Sequence, residues 1–169
     1  MEENPNISDP SVFRALFQQY LGAIRNFVYY KCGDIQQAED IAQEAFIRLW
    51  QNAEKVPAEK AKSFLYRVAN NLFLDQVKHK KVVLKFQQRP TKQHDAEDPS
   101  FQMEVQEYQK HIEKVISELP EKSRVVFLMN RMEDLTYNEI SERLEISVKA
   151  VEKRMHKALL IIKKYKLPI

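Results

Sequence analysis

The stretch Leu135–Leu160, LTYNEISERLEISVKAVEKRMHKALL, decides the fold. Thr136 followed by Glu139 is a Thr-x-x-Glu capping box, the start signal of a helix. Ile140 and Leu144 fall four apart on its buried face. Glu145-Ile146-Ser147 breaks the pattern, and Ser147 is a suitable N-cap for a second helix. Val148, Val151, Met155, Ala158, Leu159 and Ile162 then recur at helical spacing as one apolar stripe. Lys149, Lys153, Arg154, Lys157, Lys163, Lys164 and Lys166 stand against one acid, Glu152: seven minus one, a formal +6. A short helix, a turn and a basic helix form the helix-turn-helix pattern, whose second helix enters a DNA major groove. A helical hairpin with a solvated lysine face is the alternative. The turn lacks the glycine often found there.

The rest of the 169-residue chain has the composition of a globular protein, with 44% hydrophobic and 30% charged residues. Glycine occurs only at Gly22 and Gly33, which points to an all-α chain and away from glycine-rich phosphate loops. Cys32 is the single cysteine, so no intramolecular disulfide forms and a reducing, cytoplasmic setting is expected. The four histidines are scattered, so no zinc site and no cofactor are expected. No apolar run approaches ~20 residues, and MEENPNISDP is not a signal peptide, so no membrane insertion is expected. The net charge is only +3, so the basic residues act as local patches. No nucleophile–base pair stands out, and the chain is not expected to be an enzyme.

Upstream, Asp9-Pro10 opens a first helix with Phe13, Leu16, Phe17, Tyr20, Leu21, Ile24, Phe27 and Val28 inward, closed by Gly33. Asp34 caps a second, with Ile35, Ala38, Ile41, Ala42, Ala45, Phe46, Leu49 and Trp50 as its stripe. Its opposite face is polar and mixed, the usual sign of a solvated face. A third helix is expected over about 62–81, carrying Phe64, Leu65, Val68, Leu72 and Val77 inward. From Lys78 to Lys92 there are six Lys or Arg and no acid. Beside Asn70 and Asn71 this basic run suits a nucleic-acid strand, or it merely complements the helix dipole.

The sign then reverses: Asp95, Glu97, Asp98, Glu104 and Glu107 carry no intervening cation. Such a reversal marks a boundary. The expected architecture is two small helical domains, over 9–84 and 101–167, joined by a flexible linker at 85–100. The second opens with a helix over about 101–118. Pro120 starts another, with Val125, Val126, Leu128, Met129 and Met132 as core candidates.

Two stretches together resemble a known family. DIQQAEDIAQEAFIRLWQN (34–52) is similar to the helix by which bacterial sigma factors grip the β′ clamp helices of RNA polymerase. LPEKSRVVFLMNRMEDLTYNEISERLEISVKAVEKRMHKAL (119–159) resembles the domain that binds the promoter −35 element. The chain is identified as a member of the extracytoplasmic-function group of the sigma-70 family, an alternative sigma factor. The resemblance implies polymerase contacts at Asp40, Gln43, Glu44 and Arg48. Within SFLYRVANNLFLDQVKHKK (63–81) it implies −10 contacts at Phe64, Asn70, Asn71, Asp75, Lys78, Lys80 and Lys81, with the loop at 54–62 pocketing a flipped base. It implies −35 contacts at Lys149, Glu152, Lys153, Arg154, His156 and Lys157; relatives often carry a cation where Glu152 stands. It further implies the polymerase β flap and an anti-sigma factor as partners. The linker acids resemble the family's segment near the polymerase active-site cleft. A stand-alone helix-turn-helix regulator, binding DNA without polymerase, is the other reading.

Overall fold

A computed structural model describes residues 5–76, 82–84 and 99–167, and among these every regular element is helical. In chain order they are α1 (Pro10–Cys32), α2 (Ile35–Gln51), a single 3-10 turn (Ala58–Lys60), α3 (Ala61–Gln76), α4 (Pro99–Glu118), α5 (Glu121–Glu133), α6 (Tyr137–Leu144) and α7 (Val148–Lys164).

The helix ends obey local chemistry. The Asp9 side chain accepts from the Ser11 backbone N–H at 2.8 Å, and Pro10, which has no N–H to satisfy, takes the first helical position. Gly33 closes α1 at φ 69°, where a side chain would be strained. Asp34 caps α2 by accepting from Gln37 N at 3.1 Å. The expected third helix begins one residue early, at Ala61. Its described part ends at Gln76, so residues 77–81 of that expectation, Val77 included, lie outside the described residues.

Helices α1, α2 and α3 pack on one another around Ile24, Val28, Ile41, Phe46, Leu49 and Leu65, all essentially inaccessible. Each such side chain, taken fully from water, contributes about 1.5–3 kcal/mol. In the second half α5 packs against α7 and α6. Three apolar residues expected inside are exposed instead: Ile35 (40%), Trp50 (45%) and Met132 (48%). Each sits at or within a turn of a helix end, where the periodic stripe runs past the neighbour that would cover it. Phe127, which the α5 periodicity leaves out, is buried.

Helix α5 joins the halves. All seven residues from Ser123 to Met129 are buried, so it has no solvent face along that length. A helix covered all round needs neighbours on opposite sides. Its neighbours are α7 and α6 of the second half and α1 of the first. Helix α6 also meets α3. The first and second halves thus share one continuous apolar cluster among the described residues.

The polar contacts across this junction are specific. Lys31 of α1 pairs with Glu121 of α5 at 2.5 Å and lies over the rings of Phe27 and Phe73. Burial pulls its ammonium below the usual lysine range, while Glu121 opposes that shift. Arg124, only 3% exposed, donates to the Tyr30 and Lys31 carbonyls at 2.8 and 2.9 Å. It also donates to the Leu119 carbonyl at 2.9 Å. Arg143 of α6 reaches the Tyr66 hydroxyl at 3.3 Å.

Candidate nucleic-acid and polymerase interfaces

On α2 the apolar stripe faces α1, which turns the opposite side outward. Asp40, Gln43 and Arg48 are exposed there and Glu44 is half-buried. Arg48 Nε meets Glu44 Oε1 at 3.1 Å, an i,i+4 pair with the acid on the N-terminal side. Gln36 donates to Asp40 at 3.4 Å. Beside these polar groups the structure adds what the sequence reading missed, an apolar shelf. Ile47 is 51% exposed and Trp50 45%. With Phe13, Phe17 and Phe46 they line an open groove of about 740 Å³ that Gln43 and Arg14 border. Phe13 meets Trp50 edge-on at 5.0 Å, which holds the indole in place. Gln43, Ile47 and Trp50 follow i, i+4, i+7 spacing. That outward repeat is the signal that was available; it was hidden because Trp50 also continues the inward stripe.

On α3, Asn71 and Asp75 are exposed one turn apart. Phe64 is half-buried, and the Arg67 guanidinium lies over its ring at 5.9 Å. Arg67, exposed and one turn before Asn71, belongs to this face although the sequence reading did not name it. Asn70 is not with them. It is half-buried and lines a cleft of about 410 Å³ between α3 and the second half. Lys78, Lys80 and Lys81, with the rest of the basic run and the acids Asp95, Glu97 and Asp98, lie outside the described residues.

The helix-turn-helix is built as its residues dictate. Thr136 Oγ1 accepts from the Glu139 N–H at 3.2 Å, and the Glu139 carboxylate accepts from the Thr136 N–H at 2.7 Å. Those bonds hold the Glu139 carboxyl below its ordinary range. The glycine absent from the turn is replaced by Glu145, which takes a left-handed conformation at φ 53°. Ser147 caps α7 by accepting from Ala150 N at 3.1 Å. Val151, Met155, Ala158 and Ile162 are buried. The solvent side then presents Lys149, Glu152, Lys153, His156 and Lys157, all exposed, at i, i+3, i+4, i+7 and i+8. Arg154 departs from this group. It is half-buried and lines the same cleft as Asn70, close enough to Lys31 to push that ammonium further down.

Among the described residues no three His, Cys, Asp or Glu side chains gather as metal ligands, and no helix is long and apolar enough to cross a membrane.

Comparison with known proteins agrees with this arrangement. Residues 16–83 match the family described as Sigma-70 region 2, and residues 110–162 match Sigma-70, region 4. The ECF RNA polymerase sigma factor SigW of Bacillus subtilis is 30% identical over 168 residues, covering 88% of this chain and 86% of that protein. SigM of the same organism is 30% identical over 135 residues, covering 78% and 81%. The ferric citrate uptake sigma factor FecI of Escherichia coli is 22% identical, covering 94% and 93%. Among solved structures, CnrH in complex with the cytosolic domain of CnrY shares the fold, with a TM-score of 0.62 at 16% identity, covering 96% of this chain and 97% of that one.

Proposed function

The chain belongs to the ECF group of the sigma-70 family and is an alternative sigma factor that directs transcription initiation, and from that premise we propose how its surfaces divide the work. The exposed face of α2, Asp40, Gln43, Glu44 and Arg48, docks on the β′ clamp helices of core RNA polymerase. Ile47 and Trp50 supply the apolar part of that contact. A polar rim beside an apolar patch is the ordinary anatomy of a protein interface.

Helix α3 captures the −10 strand. Phe64 under Arg67 offers a stacking platform, Asn71 and Asp75 offer hydrogen bonds to base edges, and Lys78, Lys80 and Lys81 follow in sequence as phosphate contacts. Asn70 joins this set when the cleft it lines is open. Helix α7 lies in the −35 major groove. Lys149, Lys153, His156 and Lys157 meet phosphates and base edges, and Glu152 accepts from a cytosine amino group. Arg154 contributes once freed from the cleft. The work is recruitment and positioning, not catalysis, divided between a unit over 9–84 and a unit over 101–167.

The β flap contacts the second half. An anti-sigma protein is proposed as the inhibitor; the solved neighbour CnrH is bound to the cytosolic domain of CnrY, and the same class of partner suits this fold.

The observation that carries this reading is the exposed basic face of α7 behind a fully capped helix-turn-helix, in one chain with the polar and apolar face of α2. Paired variants test it. Gln43→Ala with Glu44→Ala lowers co-elution with core polymerase and leaves promoter contacts intact once complex forms. Lys153→Ala does the reverse. Identical defects from both would contradict the division of labour.

A further inference from the structure

We infer that the cleft lined by Lys31, Arg67, Lys122, Arg143 and Arg154 is a binding site for a small polyphosphate anion, a phosphate chain either free or carried by a nucleotide. The site is additional to the polymerase and promoter contacts proposed above.

The sequence scatters these cations. Lys31 lies in the last turn of α1, Arg67 on α3, Lys122 in the first turn of α5, Arg143 on α6 and Arg154 on α7. The fold brings all five to one cleft of about 410 Å³. Two carboxylates line it as well, Glu121 and Glu145, which leaves a formal excess of three positive charges. Small-ligand pockets span about 300–1,000 Å³, so the cleft has the size of one.

Cations gathered in a concavity repel one another and focus a positive field until an anion enters. Little of that field is neutralised from within. Glu121 is committed to Lys31. Among the described residues Arg67, Lys122, Arg143 and Arg154 form no ion pair, and Glu145 is exposed and forms none either. The crowding is felt at Lys31. Burial pulls its ammonium down, Glu121 opposes this, and the charges of Arg154 and Lys122 pull it down further.

Helix α5 adds to the field. It starts at Glu121, on the cleft, and its N-cap is Pro120, which makes no side-chain capping bond. The positive end of the helix therefore stands beside Lys122 without a side-chain cap.

The donors fit phosphate. The guanidinium forks of Arg143 and Arg154 match phosphate oxygens in pairs, and an ammonium adds a point charge. One phosphate group carries about −1.5 to −2, which leaves part of the excess uncompensated; a chain of two or three does not. Leu74, Leu144 and Ile146 give the same cleft an apolar flank, against which a nucleobase can lie.

Calorimetric titration of the full chain at low salt tests the site with four probes: inorganic triphosphate, adenosine triphosphate, orthophosphate and a short single-stranded DNA. Both triphosphates are expected to bind at one site per chain, about tenfold or more tighter than orthophosphate. A tighter nucleotide shows that the apolar flank holds the base, and equal affinities show that the phosphate chain alone is read; either result supports the site. Lys122 is exposed and unpaired, so Lys122→Gln folds, and it is expected to weaken triphosphate binding about tenfold, the order of one charge-assisted hydrogen bond. Lys122→Glu weakens it further. Lys164→Gln, exposed near the end of α7 and outside the cleft, should stay within about twofold of wild type. Thermal melts give a second readout: triphosphate at about a hundredfold its Kd should raise Tm by about 5 °C or more.

Triphosphate bound no tighter than orthophosphate overturns the site. So do equal losses from the Lys122 and Lys164 variants, which would mark diffuse surface charge. DNA binding that depends on Lys122 while neither triphosphate binds also overturns it, and makes the cleft a nucleic-acid surface. No polymerase or promoter enters these measurements, so their failure is distinct from failure of the sigma-factor reading.

Discussion

Arg124 Nε donates to the carbonyl oxygen of Tyr30 at 2.8 Å, across the junction between α5 and α1. The same guanidinium serves Lys31, Ser117 and Leu119, so one side chain satisfies carbonyls at the ends of two helices. Arg124→Met keeps the aliphatic volume and leaves those carbonyls without their donor. A loss of about 2–4 kcal/mol in unfolding free energy is expected, measured by urea denaturation. Arg124→Lys is expected to recover little, because one ammonium cannot reproduce the planar fork. A variant within 0.5 kcal/mol of wild type, on the order of an ordinary surface change, would refute the role.

Gly33 sets the entry to α2. At φ 69° an added Cβ would stand 2.7 Å from the Val83 carbonyl oxygen and 2.9 Å from a Val82 methyl. Gly33→Ala therefore combines backbone strain with a clash and should cost more than about 1 kcal/mol. In a chain of this size that lowers Tm by about 2–4 °C or more. Gly22→Ala is the control: it meets nothing within 4 Å inside α1 and should hold or raise Tm.

Glu133, at the end of α5, has its carboxyl raised above the ordinary range by burial, against the opposing pull of Arg143 and a hydrogen bond from Asn26. The folded chain therefore binds this proton more tightly than the unfolded chain. Its contribution to stability is fully present below the unfolded carboxyl value and is lost as pH rises through the raised folded one. Glu133→Gln does not titrate. The Tm difference between variant and wild type should grow in the variant's favour from pH 4 to pH 7, read by thermal melts in matched buffers. A difference independent of pH would contradict the shift.

Ile47 tests the shelf. Being half exposed, Ile47→Lys should change stability by no more than about 0.5 kcal/mol. Binding of core polymerase should weaken about tenfold or more, the loss of one apolar contact at an interface centre, about 1.4 kcal/mol. Equal core affinity in a titration of labelled protein would remove Ile47 from the interface.

Local chemistry explains what could be read in advance. The Asp9, Asp34 and Ser147 caps and the Thr136–Glu139 box each involve residues within three positions of one another, and all four formed as their spacing implied. The inward stripes of α1 and α7 followed from period alone. Trp50 and Met132 did not, because exposure at a helix end depends on which neighbour reaches it. Arg124 was illegible for a related reason. In EKSRVV it looks like one more surface cation, and only the arrival of α1, more than ninety residues away, makes it a buried donor. The same distance effect split the site sets. Asn70 left Asn71, and Arg154 left Lys153, once α6 and α3 came together around the cleft.

Run-off transcription with core RNA polymerase, on genomic fragments from the source organism, tests the central claim most directly. Discrete start sites that appear only when this chain is added, and vanish with Gln43→Ala plus Glu44→Ala, are the predicted result. No chain-dependent transcripts, together with no co-elution with core, would contradict it.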